Sequence, residues 1–362
     1  MSVRRIEEAL PEYYRKFLPD FFKNTIPLET AATCSECPML PEEGNDDTEN
    51  EFFSPESKCC THYPNLHNYI TGGLLSNTDK DLDEGRHRIR QQIKRRIGVT
   101  PHGVLRPQKY HFLLTHTQLE YFGRSEWLIC PYYNREKGMC TIRPFWNSVC
   151  NTWFCKYTDG CDGRVFWSAL KIYLKSIENT LTRYTLYKMG WDAQNIILPT
   201  SDRLLTVEEL DDKPLKLKEY RELWGDWAGR EEEFYRETFA IVQTMTRSDF
   251  DHITGITEMV KLEELKARHK AIVNKKPPST LKRNPELKVK SIDEDSCVLI
   301  GFSAQDPVEV SRRMYDILEY FDGARSNEDI VQLLREKDKA VPDDELLLML
   351  YRLRILVEGE KE

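Results

Sequence analysis

The chain has no long apolar run. Nothing in it approaches the roughly 18 consecutive hydrophobic residues that cross a bilayer, so no membrane span or membrane partner is expected. It opens Met-Ser-Val-Arg-Arg-Ile-Glu-Glu, without the apolar core of a secretory signal, and a cytoplasmic location is expected. It lacks the phosphate-binding P-loop, the GxGxxG turn, the GxSxG elbow and the HExxH helix, and it has no CxxxCxxC run. No catalytic residue is assigned, and whether the protein is an enzyme stays open. Positive charge is also short: 52 Lys and Arg stand against 60 Asp and Glu, a net charge of -8. General attraction to nucleic acid is therefore not expected. Cysteine is nearly missing from the last 201 residues, where Cys297 stands alone in the apolar stretch Ser296-Cys297-Val298-Leu299-Ile300 and reads as a small buried hydrophobe.

The other nine of the ten cysteines lie in the first 161 residues. Cys34, Cys37, Cys59 and Cys60 form one group, and Cys130, Cys140, Cys150, Cys155 and Cys161 a second. Disulfide scaffolds are typically short and secreted, whereas clustered cysteines in a reducing compartment more often bind metal. All nine are therefore candidate metal ligands. Thiolates are soft donors that suit zinc, iron–sulfur clusters or copper(I). Cys34 and Cys37 are spaced so that one tight turn can present both sulfurs to one ion. Cys59 and Cys60 are adjacent, and side chains of neighbouring residues on a strand point apart, so both reach one site only through a turn. The aromatic neighbours Tyr132, Tyr133, Trp146, Trp153 and Phe154 would supply a dry shell, which favours an iron–sulfur cluster over zinc. Nine thiols allow two four-thiolate centres or a single centre with spare cysteines. His62 and His67 are secondary candidates, read first as surface or capping histidines, and His102, His111 and His116 rank lower. Arg143 is expected near the thiolates, where its charge offsets theirs.

Hydrophobic periodicity organises the rest. Residues 4–23 carry an amphipathic pattern through Ile6, Leu10, Tyr14, Leu18 and Phe22, interrupted by Pro11 and Pro19. Residues 42–57 are acidic and read as an exposed insertion. Residues 86–96 are basic and read as a solvated helix face, with a local phosphate site as the sharper alternative. The helix pattern over 34–161 is weak, and loops are expected there, with an alternating strand able to carry His111 inward. From Gly163 to Gly190 a stripe of Phe166, Leu170, Tyr173, Ile177, Leu181 and Tyr184 predicts a long helix, and further helices are expected near 229–246 and 257–273. The expected organisation is a Cys-rich metal-binding domain over 1–162, a helical extension packing on it over 163–273, a linker over 274–287, and a small domain over 288–362. The fold class is mainly α with an irregular Cys-rich segment, followed by an α+β winged-helix-like C-terminal domain. In that domain Val310, Met314, Ile317, Leu318 and Phe321 mark a first helix. Ser326 with Asp329 resembles a capping box for a second, Asp343 to Glu345 open a third, and Ile355 to Val357 start a strand.

The cysteine pattern resembles the YkgJ-type cysteine-cluster family of zinc- or iron-chelating domains. Cys34 and Cys37 match its CxxC, Cys59-Cys60 its double cysteine, Cys130-Pro131 its Cys-Pro, and Gly138-Met139-Cys140 its Gly-x-Cys. Arg143-Pro144 then leads to Cys150. The resemblance covers about 34–155 and implies a bound iron–sulfur cluster or zinc. Two spacings depart from the family: 21 residues separate Cys37 from Cys59, and five separate Pro144 from Cys150. Residues 318–353 resemble, in element order, the PqqD-type peptide-recognition domains. That likeness implies a protein or peptide partner, and the net charge of -7 over 288–362 opposes DNA binding. The expected function is metal binding, either redox or protein-modifying. The alternatives are a metal-dependent enzyme resembling the lysine methylases that carry a similar cysteine cluster, and a zinc-stabilised protein-interaction scaffold.

Overall fold

The computed structural model describes residues 3–29, 37–40, 53–117, 121–191 and 207–359. It is mainly helical with small antiparallel sheets. Its spine is the helix Gly160–Lys188. Of the stripe read from the sequence, Phe166, Leu170, Tyr173, Ile177 and Leu181 lie on its buried face beside Leu174 and Leu186, while Tyr184 is half-buried at its edge. Against that face lie the helix Ile256–Val273, through Leu265 and Ile272, and the short helix Ser148–Thr152. One continuous core runs from Ile6 to Ile272, so the Cys-rich residues and the helices after them share their apolar interior.

The N-terminal segment is not one helix. Pro11 and Pro19 cannot donate backbone hydrogen bonds, and the chain instead makes short turns at Ile6–Ala9, Glu12–Arg15 and Asp20–Lys23. Val3–Arg5 then pairs with Thr25–Pro27, which folds Ile6, Tyr14, Phe17 and Phe22 completely into the core.

The stretch between the cysteine groups also differs from the expected loops. It holds the helices Asn68–Ser76, Asp83–Arg95 and Gln108–Thr117, the last of which carries His111 where a strand was expected. The Asn68–Ser76 helix crosses the helix Glu231–Thr244 at its two glycines. A Cβ on Gly72 would stand 1.8 Å from the Tyr235 carbonyl oxygen, so backbone meets backbone only because no side chain intervenes. Of the acidic segment expected to be an exposed insertion, residues 42–52 lie outside the described residues. Phe53 and Ser57 at its end are buried.

Residues 281–356 close a second core around Leu281, Cys297, Leu299, Ile317, Ile330, Leu350 and Leu356. Lys288–Ile292, Ser296–Ile300 and Val308–Ser311 form an antiparallel meander. Val310 therefore belongs to a strand, and the first helix begins after it, at Arg312, capped by Ser311. The helix Asn327–Glu336 starts at the expected cap, Ser326, while Asp343, read as part of the acidic first turn of the last helix, is instead the cap of Asp344–Arg352. The final strand Leu356–Glu358 pairs with Leu281–Arg283, so a strand stands inside the stretch expected to be linker.

The two cores are joined by a buried ion pair. Arg352 meets Asp159 at the start of the long helix and donates to the carbonyls of Ile272 and Asn274, both at 2.9 Å. Gly160, at φ +57°, would bring a Cβ to 2.5 Å from the Arg352 carbonyl oxygen. Among the described residues no helix is long and apolar enough to cross a membrane.

Candidate metal centre

Three remote segments bring thiols together. The first is a tight turn over residues 54–60, where Ser54 accepts from the amides of Ser57 and Lys58 and Ser57 accepts from that of Cys60. This turn is the bend that adjacent Cys59 and Cys60 need to reach one site, and each thiol shifts the titration of the other. The second segment docks directly on the first. The Cys130 amide donates to the Cys60 carbonyl at 2.7 Å, and the Lys58 ammonium donates to the Gly138 carbonyl at 3.1 Å. A small hairpin then pairs Tyr133 with Cys140. The third is the helix Ser148–Thr152, capped by Asn147, whose side chain accepts from the Cys150 amide at 3.1 Å.

Each thiol feels the others. Burial raises Cys130, and Cys140 and Cys59 raise it further. Burial raises Cys150 strongly, followed by Cys130, Cys140 and Cys59. Cys60 is raised by its contact with Cys59, then by burial and by the charges of Cys59, Cys130 and Cys140, whereas the same contact lowers Cys59. Burial also raises Cys37, with Cys59 adding to it. The six sulfurs therefore share one electrostatic neighbourhood, in which a second thiolate is penalised by the first unless a cation stands among them.

Hydrogen-bond donors point at these sulfurs. The backbone amides of Met39, Tyr132 and Ile142, each two residues after a cysteine, favour the thiolates of Cys37, Cys130 and Cys140. The Trp146 indole N–H donates to the Cys140 sulfur at 3.2 Å. Positive charge is also near: Lys58 favours the Cys59 thiolate, Arg88 that of Cys130 and Arg143 that of Cys140. Arg143 is exposed and lies over the Trp146 ring, so its charge reaches the site from the rim. Most of the basic segment 86–96 forms the helix Asp83–Arg95. From that helix Arg88 donates to the carbonyls of Pro131 and Tyr133 at 2.6 and 3.0 Å and pairs with Glu84. It braces the Cys130 loop and is not free to bind phosphate.

The remaining sequence candidates are placed apart. Cys155 is buried with Met39, Phe53 and Phe122, against which Cys37 and Cys59 pack. Cys161 lies in the first turn of the long helix and is buried, close enough to Arg354 of the second core to raise that guanidinium's pKa. Cys34 lies outside the described residues. Burial drops His62 and His102 to about 4 and keeps them neutral. His116 is exposed and bonded to the Phe112 carbonyl. As the side chains stand, no group of three or more Cys, His, Asp or Glu among the described residues is drawn tightly enough to hold a metal ion.

One buried residue escaped the sequence reading. Glu178 is 1% exposed. It accepts from the Ser148 amide at 2.6 Å, from the Ser148 hydroxyl at 2.7 Å and from the Tyr14 hydroxyl, and His67 lies 3.5 Å away. Burial alone would raise its pKa, but His67, Tyr14 and Ser148 together hold it below the usual carboxylate value. Its charge is felt at Cys150. The signal was legible: residues 174, 178, 181 and 185 fall on one helix face, and Glu178 is the charged member of an apolar stripe. No family model, curated protein or solved structure matches the chain.

Proposed function

We propose that the chain is a cysteine-cluster metal-binding protein whose centre is built on Cys59, Cys60, Cys130, Cys140 and Cys150, with Cys37 alongside. The supporting observation is the direct docking of segments some 70 residues apart in sequence at their cysteines, the Cys130 amide on the Cys60 carbonyl at 2.7 Å with Cys140 paired to Tyr133 beside it. The donor set fits a thiophilic ion: it is all sulfur, largely buried, and supplied with N–H groups that stabilise thiolates. The resemblance to the YkgJ-type proteins supports the same reading. Cys34, by its spacing from Cys37, belongs to the proposed set. Cys155, buried in the small apolar cluster against which Cys37 and Cys59 pack, and Cys161, beside Arg354, are left outside it. An iron–sulfur cluster there would supply one-electron chemistry, and zinc a closed structural tie.

The second core is read as a winged-helix-like module of PqqD type that takes a protein or peptide partner. Its meander and three capped helices support that reading. The test of the centre is metal analysis of anaerobically prepared protein. Wild type should carry stoichiometric iron with sulfide, or stoichiometric zinc, and Cys130→Ser and Cys140→Ser should each lose most of it. Unchanged metal content in both variants would remove these ligands from the centre.

A further inference from the structure

Cys150 is carried by a helix of five residues. Helices that short are not stable alone, so something outside must set where this thiol points. The Asn147 side chain takes the Cys150 amide. The amide and hydroxyl of Ser148, two residues before Cys150, both end on the Glu178 carboxylate, at 2.6 and 2.7 Å. Glu178 comes from the buried face of the long helix and is itself held by Tyr14 and His67. Burying a carboxylate costs several kcal/mol unless partners compensate. Here the partners converge from the N-terminal turn, from the start of the Asn68–Ser76 helix and from the Cys150 helix.

We propose that Glu178 is the positioning residue of the thiol site, fixing Cys150 by holding the first turn of its helix against the long helix. This rests on the metal-binding reading for its purpose, but not for its test. Glu178 does not touch the thiol and is not a ligand. Its negative charge keeps the Ser148 end anchored, and with it the turn that carries Cys150.

The experiment compares wild type, Glu178→Gln, Glu178→Leu and Tyr14→Phe as metal-free full chains. Each is treated with iodoacetamide, and labelling of each cysteine is followed by mass spectrometry. Glu178→Leu should speed alkylation of Cys150 relative to Cys130 by about tenfold, the order expected from losing hydrogen bonds to a charged group. Glu178→Gln keeps one carbonyl acceptor and should fall between. Tyr14→Phe leaves both Ser148 bonds intact and removes one support of the carboxylate, so it should raise the ratio by much less than Glu178→Leu. A Cys150-to-Cys130 ratio unmoved by Glu178→Gln and Glu178→Leu would overturn the proposal, as would an equal rise in Tyr14→Phe. If Glu178→Leu unfolds, seen as full labelling of buried Cys297, the Glu178→Gln ratio decides.

A second arm loads each protein with cobalt(II) and records the thiolate-to-metal charge-transfer absorption. Wild type should show the band, with reduced intensity in Glu178→Leu. A wild type without any such band, and without iron or zinc, would refute the metal reading, while the alkylation ratio still decides the role of Glu178. A wild-type band carried over unchanged into Glu178→Leu would count against positioning.

Discussion

Replacing Arg352 by alanine tests how the two cores are held. The Arg352 side chain is 9% exposed and that of Asp159 is 3% exposed. Besides Asp159, the guanidinium serves the carbonyls of Ile272 and Asn274 at 2.9 Å and lies 3.8 Å from Asp162. Removing one partner of a buried ion pair leaves the other charge uncompensated, at a cost of about 3–5 kcal/mol. The pH dependence has a definite sign. Burial raises the pKa of Asp159, and Arg352 pulls it back only in part. Without the guanidinium, the folded-state value rises further above the unfolded one. A group raised in this way favours the folded state below its unfolded pKa, and that contribution is lost as pH climbs through the folded pKa. Arg352→Ala should therefore destabilise strongly at pH 7.5 and less at pH 5, where Asp159 can take up a proton. Urea denaturation followed by circular dichroism at both pH values measures this. Arg352→Lys should recover only part of the loss, because an ammonium cannot reproduce the planar fork that meets a carboxylate and two carbonyls together. A loss below about 1 kcal/mol at pH 7.5, or a loss that grows on acidification, would refute the reasoning.

Two further substitutions probe the frame of the site. Gly72→Ala should destabilise by about 1–3 kcal/mol in urea denaturation. The new Cβ would meet the Tyr235 carbonyl oxygen at 1.8 Å, against a helix-propensity gain of only about 1 kcal/mol, so a stabilised variant would disprove the close crossing. Trp146→Phe removes the N–H that reaches the Cys140 sulfur at 3.2 Å while keeping an aromatic ring. Groups that hydrogen-bond to ligands typically affect metal affinity by about 10-fold or more, so chelator competition should extract metal more readily from the variant, and equal retention would deny the bond a role.

The elements that were legible in the sequence are those whose local pattern agrees with their packing. Phe166, Leu170, Tyr173, Ile177 and Leu181 recur at helical spacing and form the buried face of Gly160–Lys188. Ser326 accepts the amide of Asp329 three residues on, so the cap seen in the letters is a cap in space, and Asp343, read as a first-turn acid, serves the next helix as its cap. The Asn68–Ser76 helix was hidden because its own residues argue against it. Tyr-Ile-Thr-Gly-Gly contains two glycines and two β-branched residues, all unfavourable in isolation. The glycines are needed for contact with Glu231–Thr244, which no window of local sequence reveals.

The site shows the same division between local and distant information. The need for a turn at Cys59-Cys60 follows from adjacency alone, and the turn over 54–60 supplies it. Which of the later thiols face that turn could not be read in the same way, because Cys150, Cys155 and Cys161 are similarly spaced and all lie in aromatic surroundings. Their fates are decided by what meets them from elsewhere. Cys150 is anchored through Ser148 by Glu178, some 30 residues downstream. Cys155 is walled in by Phe53 and Phe122, and Cys161 is taken by Arg354 from the second core. Sequence spacing thus locates the thiols, while long-range partners decide the surroundings of each. Glu178 is one of those partners, and the one trace it leaves in the sequence is a charge set on an otherwise apolar helix face.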